Sequence, residues 1–247
     1  MLLTTLSILA TTALAVDHSP LSSVLTTHVQ KDGVSYTALA ADRAPLSAYL
    51  DSLAAVEMSD AKKPAQMAFW LNAYNAMTLD VMAAEWPVQS IQQLDAGEVW
   101  KTRTRQLAGK KRTLDAIEHA LLRPMGDPRI HAALVCAAKS CPPLKPTAYT
   151  AVDLDAQLDA AARAWVATTA VTFKPENKQI VLSRIFEWFG EDFTAGFSTY
   201  DIPNVDGPQE AALNFVATYA NPKEQAWIRS GDYALDWADY DWSVNGK

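Results

Sequence analysis

The strongest pattern of apolar positions along the chain is Pro64–Glu85, a range rich in alanine, methionine and leucine. Apolar side chains would fall on nearly every face of a helix through this range, which is typical of a central, buried helix. The helix is expected to end before Trp86-Pro87, because a residue that precedes proline avoids the helical region. Asn72 and Asn75 share one face of it, and their buried amides would either brace a loop or line a polar pocket.

Shorter patterns predict further helices and a few strands. Thr113 suits the N-cap of a helix that runs to Leu122, with Asp115 favourable in its first turn. Ile130–Cys136 is a short apolar run between turn residues, which is typical of a buried strand. The remaining predicted elements are helices over 46–53, 154–166, 183–189 and 208–219, a hairpin or loop over 97–112, and a hairpin over 171–182.

These elements together predict the fold class. They favour a helix-rich α+β domain with a small antiparallel sheet, for which a papain-like arrangement is one candidate architecture. The chain is 49% hydrophobic and 20% charged, values that allow a sizeable core. Because no linker, repeat or low-complexity segment interrupts the sequence, residues 16–247 are expected to form a single globular domain.

The first 15 residues have the pattern of a secretory signal peptide. The apolar run Leu2–Leu14 ends in Ala13-Leu14-Ala15, which resembles a cleavage site, although no basic residue precedes the run. The run is shorter than the roughly 20 apolar residues that span a bilayer, and no later stretch is long enough either. We therefore expect export to the periplasm or the medium without an integral membrane segment, the alternative being an ordinary N-terminal helix.

Charge and missing motifs exclude several classes of function. The net charge of −7 argues against nucleic-acid binding, which needs a basic surface. No G-x-S-x-G, P-loop, H-E-x-x-H or G-x-G-x-x-G motif occurs, so nucleotide-dependent and zinc-protease activities are not supported. The spacing of His131 and the two cysteines does not suit zinc. We expect neither a metal nor a cofactor.

Cys136 is the leading candidate for chemistry, because it ends the predicted buried strand and would project from a rigid edge into a loop. His119 and His131 are two of four histidines, the side chain that titrates near neutral pH. Glu118 falls within the apolar stripe of its predicted helix, where a carboxylate needs a partner. Cys141 leaves an alternative open, since two cysteines in an oxidising compartment usually form a disulfide.

Five motifs, in order, resemble a known family. They are FWLNAYNA (Phe69–Ala76), TLDAIEHALLR (Thr113–Arg123), DPRIHAALVCAAKSCPPL (Asp127–Leu144), LSRIFEWFGEDF (Leu182–Phe193) and Tyr240-Asp241-Trp242. On these motifs the chain resembles the domain of unknown function 547 family, whose name implies no activity.

The resemblance bears on the choice between candidates. Plant members of the family keep the I-E-H element and the first cysteine, but they replace the second cysteine and the histidine of R-I-H. The resemblance therefore favours Glu118, His119 and Cys136 over His131 and Cys141, and it weakens the disulfide interpretation.

The first functional hypothesis is a thiol hydrolase or acyl transferase that acts on an amide or thioester in a small peptide or thiol conjugate. Cys136 would be the nucleophile, His119 the general base and Glu118 the group that orients it. Asn75 and backbone N–H groups after Cys136 would stabilise an oxyanion. Because Glu118 and His119 are adjacent, they would point about 100° apart on a helix.

Two alternatives compete with this hypothesis. One is a non-catalytic binding module for a small anionic or peptide ligand. The other is a structural envelope protein in which Cys136–Cys141 is a stabilising disulfide. The expected ligand-contacting residues are Asn72, Asn75, Arg123, Arg129, His131 and Lys139.

Overall fold

The computed structural model describes residues 16–197 and 199–247, so the predicted signal peptide lies outside the described residues. The α-helices are α1 (Ser19–His28), α2 (Tyr36–Ala41), α3 (Ala44–Ser52), α4 (Lys63–Ala84), α5 (Val99–Thr102), α6 (Leu114–Ile117), α7 (Leu154–Val166), α8 (Arg184–Trp188), α9 (Gly190–Phe197), α10 (Gly207–Tyr219) and α11 (Pro222–Ser230). The strands are β1 (Val29–Gln30), β2 (Gly33–Val34), β3 (Arg105–Leu107), β4 (Lys110–Arg112), β5 (Val171–Lys174), β6 (Gln179–Leu182) and β7 (Ala234–Trp237).

Helix α4 confirms the prediction of a central buried helix. It has Pro64 in its first turn, where the missing backbone N–H costs nothing, and every residue from Met67 to Ala83 is buried. Helices α1, α2 and α3 pack with it into one apolar cluster. A second cluster joins α7, α8, α9 and α10 to β5 and β6. Among the described residues, none of the helices combines the length and the apolar character needed to cross a bilayer.

The strands form small sheets. β1 pairs with β2 and β3 with β4 as antiparallel hairpins. β5 and β6 form the hairpin predicted over 171–182, and β7 adds to β6 as a parallel strand. The fold is therefore of the predicted helix-rich α+β class, and the papain-like arrangement stays a prediction.

The prediction of a strand over Ile130–Cys136 is wrong. Pro128–Ala132 forms a 3-10 helix, and the Asp127 carboxylate caps it by accepting the Arg129 backbone N–H at 3.0 Å. The residues that follow, up to Cys136, have no regular secondary structure apart from a turn. The apolar residues of this run are buried, as their pattern indicated. Burial alone, however, does not distinguish a strand from a buried loop.

The side chain of Asn75 forms the hydrogen bonds to this loop that a neighbouring strand would form in a sheet. Its amide Nδ2 donates to the Ala133 carbonyl at 2.9 Å, and its Oδ1 accepts the Val135 backbone N–H at 3.0 Å. Asn72 holds Tyr149 in the same way, through two hydrogen bonds of 2.8 Å. Both asparagines are thus braces for loops, which corrects the ligand-contacting and oxyanion roles expected of them.

Candidate functional site

A cavity of about 190 Å³ lies where α4, α5, α8 and the C-terminal tail meet the loop that carries Cys136. Half of its twelve lining residues are aromatic, and we call it the aromatic cavity. Its six aromatic side chains are Tyr74, Trp100, Trp188, Phe189, Tyr240 and Trp242. The C-terminal tail therefore forms part of the wall of this cavity through Tyr240 and Trp242.

Cys136 and Cys141 both line the aromatic cavity and are joined by a disulfide bond. The Cys136 backbone N–H donates to the Cys141 sulfur at 3.1 Å. The Tyr240 hydroxyl lies 3.4 Å from the Cys136 sulfur and 3.2 Å from the Cys141 sulfur, in position to donate to either. In this state Cys136 has no thiol, so it can act as a nucleophile only after reduction.

The backbone directly after Cys136 is strained. Ala137 has a φ of +63°, a left-handed conformation that non-glycine residues seldom adopt. The C-terminal tail holds it there, because the Asn245 N–H donates to the Ala137 carbonyl at 3.0 Å and Ala138 pairs with Val244. Strain of this kind persists only where surrounding contacts enforce it, and it is concentrated at functional sites.

The helix that begins at Thr113 changes type at Glu118. The Thr113 hydroxyl accepts the Ala116 N–H at 3.1 Å, which confirms the predicted N-cap. After one α-helical turn, Glu118–Leu122 forms a wider π-helical turn, a feature that often marks functional sites. Glu118 lines the aromatic cavity, whereas His119 is exposed outside it.

The predicted Cys136–His119–Glu118 set is not assembled in the structure. The Nδ1 atom of His119 lies 3.1 Å from Arg123 Nη1, and its Nε2 lies 3.7 Å from the Asp115 carboxylate. Both ring nitrogens therefore face charged neighbours on the same helical segment. Within the described part of the chain, no hydrogen bond joins Cys136 to a histidine.

The histidine in the aromatic cavity is His131, which is only 3% exposed. Its Nε2 lies 2.8 Å from Oδ2 of Asp192, and its ring stacks on Phe189 at 4.4 Å between centroids. Arg123 donates to both Asp192 oxygens, at 2.7 and 2.9 Å. Burial raises the pKa of Asp192, but the hydrogen bonds from His131 and Arg123 outweigh it and hold that pKa far below its ordinary value.

Residues 58–166 match the family model described as a protein of unknown function, DUF547. Over this range, which is less than half of the chain, the protein is similar to the DUF547 family. The matched range contains Glu118, His131, Cys136 and Cys141. No curated protein and no solved structure matches the chain.

The residues of the site come partly from the range that matches the DUF547 model and partly from the sequence beyond it. The cysteines, His131 and Glu118 come from the matched range, whereas Asp192 and Tyr240 lie beyond it. Asp192 was not among the candidate residues of the sequence. The signal that could have found it is its place in the LSRIFEWFGEDF motif, which also supplies Trp188 and Phe189 of the aromatic cavity.

The structure does not form the anion-binding cleft that was predicted. Arg123 is engaged by Asp192, and the exposed Lys139 lines a separate groove. Arg129 forms ion pairs with three aspartates, namely Asp127, Asp155 and Asp159. These three basic residues therefore do not meet at one ligand, and none of them lines the aromatic cavity.

Glu118 is the carboxylate of the aromatic cavity. Among the described residues, no Lys, Arg or His side chain forms an ion pair with it. Burial and the nearby Glu118 carboxylate together raise the pKa of the Tyr74 hydroxyl well above its ordinary value, and they raise that of Tyr240 as well. Both hydroxyls therefore stay protonated beside Glu118.

Proposed function

We propose that the protein is a thiol-dependent hydrolase or acyl transferase that acts on an amide or thioester, with Cys136 as its nucleophile after reduction of the disulfide. The observation that carries this proposal is the cavity shared by the Cys136–Cys141 sulfurs and a buried histidine that a carboxylate orients. A nucleophile, a base and a third group that orients the base make up the arrangement used in acyl transfer.

His131 and Asp192 replace His119 and Glu118 in this mechanism. His131 would accept the thiol proton, and the Cys136 thiolate would add to the acyl carbon. The proton would then pass from His131 to the departing amine or thiol, which leaves an acyl-cysteine. Water would release the acyl group in a hydrolase, and a second acceptor would take it in a transferase. Arg123 would act as a positioning residue through its two bonds to Asp192.

In this proposal, the oxidised state would account for the absence of a hydrogen bond between Cys136 and His131. A disulfide fixes the direction of the Cys136 side chain, and reduction would free it to rotate towards the histidine. Catalytic hydrogen bonds are also commonly long in unliganded sites and tighten when substrate binds. If the protein is exported, as its N-terminal pattern suggests, the disulfide would be the resting state. A dithiol reductant would activate the enzyme by thiol–disulfide exchange, which leaves Cys136 and Cys141 as thiols and the reductant as a disulfide.

Substituting His131→Asn tests the role of the base. In the reduced wild-type protein we expect Cys136 to be alkylated by iodoacetamide with an apparent pKa well below about 8.5, the value of a free cysteine. Loss of the histidine should return the apparent pKa towards that value and slow labelling at pH 7 by about tenfold. The measurement is the pH dependence of the labelling rate, read by peptide mass spectrometry.

His119→Asn is the matched control, because it removes a histidine that lies outside the aromatic cavity. This variant should keep the wild-type profile, and it should still hydrolyse S-phenyl thioacetate through an acyl-cysteine visible by intact mass. The opposite result would be a shifted pH profile of labelling for His119→Asn and an unchanged profile for His131→Asn. That result would support the Cys136–His119–Glu118 set and overturn the assignment of His131 as the base.

A further inference from the structure

We propose that the aromatic cavity binds the organic-cation end of its ligand, a small alkylated ammonium group, with Glu118 as the counter-ion. This inference names the ligand class of the site described above, and it rests on the proposed function in that the same cavity holds Cys136. It also replaces the anionic ligand that the sequence suggested with one of opposite charge.

The walls of the cavity have the composition of a cation-binding aromatic cage. Trp242 lies at the centre of the cluster, with ring centroids 4.6 Å from Tyr240, 5.9 Å from Trp100 and 5.9 Å from Trp188. Tyr240 and Trp188 are themselves 4.8 Å apart. The faces of such rings carry negative potential, and several rings around one space are the usual receptor for a quaternary ammonium group.

The charges of the cavity point to the same ligand. Its lining contains one carboxylate, Glu118, and neither lysine nor arginine. The guanidinium of Arg123 donates to Asp192, and this hydrogen bond raises the pKa of Arg123. The charge of Glu118 raises that pKa further. A bound anion would be repelled by Glu118, because the basic side chains of Arg123 and His131 are already paired with Asp192. A bound cation would instead be attracted by Glu118.

The shortage of hydrogen-bond acceptors favours an alkylated nitrogen over a primary amine. A primary ammonium has three N–H donors to satisfy, and Glu118 is the one carboxylate in the lining. A fully alkylated nitrogen has no donors and is attracted by ring faces and a carboxylate alone. The volume of about 190 Å³ is below the roughly 300–1,000 Å³ of sites that enclose drug-sized ligands, which suits a single small group.

Binding is tested first in the oxidised protein, where no turnover interferes. Calorimetric titration with choline and with tetramethylammonium should give saturable binding. The neutral isostere of choline, 3,3-dimethylbutan-1-ol, should bind at least about tenfold more weakly, because it has the same shape without the charge. Failure of both cations to bind, or equal binding of the neutral isostere, would overturn the proposal without relying on any variant.

Glu118→Gln should weaken choline binding by about tenfold or more while leaving the neutral isostere unaffected. Glu176→Gln is the matched control, since it removes the same charge from an exposed turn between β5 and β6 and should bind choline as the wild type does. Choline affinity that stays unchanged in Glu118→Gln would contradict the role of the carboxylate.

The thiol chemistry and the cation preference can fail separately. With reduced protein, acetylthiocholine should be hydrolysed with a higher kcat/KM than S-(3,3-dimethylbutyl) thioacetate, its neutral counterpart. Equal rates on the two thioesters would remove the cation preference and leave the thiol enzyme standing. Choline binding without hydrolysis of either thioester would support the ligand class and overturn the proposed catalysis.

Discussion

Cys136→Ser is expected to eliminate thioester hydrolysis by the reduced protein, whereas Cys141→Ser is expected to be active without any reductant. The reason is that Cys136 is the proposed nucleophile, while Cys141 blocks it through the disulfide. Loss of a covalent nucleophile should lower kcat by roughly a thousandfold or more. Loss of Cys141 leaves Cys136 with a free thiol in either redox condition.

The two variants are matched controls for each other. Each lacks the same disulfide, so each should lose about the same free energy of unfolding, roughly 2–4 kcal/mol if the bond contributes a typical amount. The measurement is hydrolysis of S-phenyl thioacetate with and without reductant, beside thermal unfolding of both variants. Equal activity in the two variants would show that Cys136 is not the nucleophile and would leave the disulfide a structural role.

Asn75→Ala is expected to lower the free energy of unfolding by roughly 2–6 kcal/mol, because two buried backbone groups lose their partners at roughly 1–3 kcal/mol each. Those groups are the Ala133 carbonyl and the Val135 N–H, which pair with the Asn75 amide in the structure. Since Cys136 follows directly, the substitution should also disturb the loop that carries the sulfurs.

Urea unfolding of the oxidised protein measures the effect of Asn75→Ala. Gln66→Ala is the matched control on the same helix, since its amide also donates to two backbone carbonyls, those of Met58 and Ala61, but at a partly exposed position. Water can replace the bonds of Gln66, so we expect a loss of about 1 kcal/mol or less there. A loss of similar size in both variants would mean that Asn75 does not act as a buried brace.

Local patterns in the sequence were sufficient for much of the fold. Helix α7 and the β5–β6 hairpin follow from the periodicity of apolar residues and from Pro175-Glu176-Asn177 between the strands. The strand expected over Ile130–Cys136 was wrong because its hydrogen-bond partner is a side chain 58 to 60 residues earlier in the chain. No local pattern carries that information.

The candidate site depended even more on distant contacts. The sequence identified Cys136 and a nearby carboxylate, and both lie in the aromatic cavity. It favoured His119 over His131 on the resemblance to a family whose plant members keep the I-E-H element and replace the histidine of R-I-H, whereas the fold places His131 in the cavity. Asp192, 61 residues from His131, could be recognised as its partner only once the fold brought the two together.

Thiol mapping of the protein before and after reduction tests the central claim most directly. Without reductant, neither Cys136 nor Cys141 should react with iodoacetamide. After reduction, Cys136 should be labelled faster than Cys141, which is only 4% exposed, and with an apparent pKa well below about 8.5. A free thiol before reduction, or a reduced Cys136 that reacts no faster than an ordinary cysteine, would contradict a disulfide-gated nucleophile in the aromatic cavity.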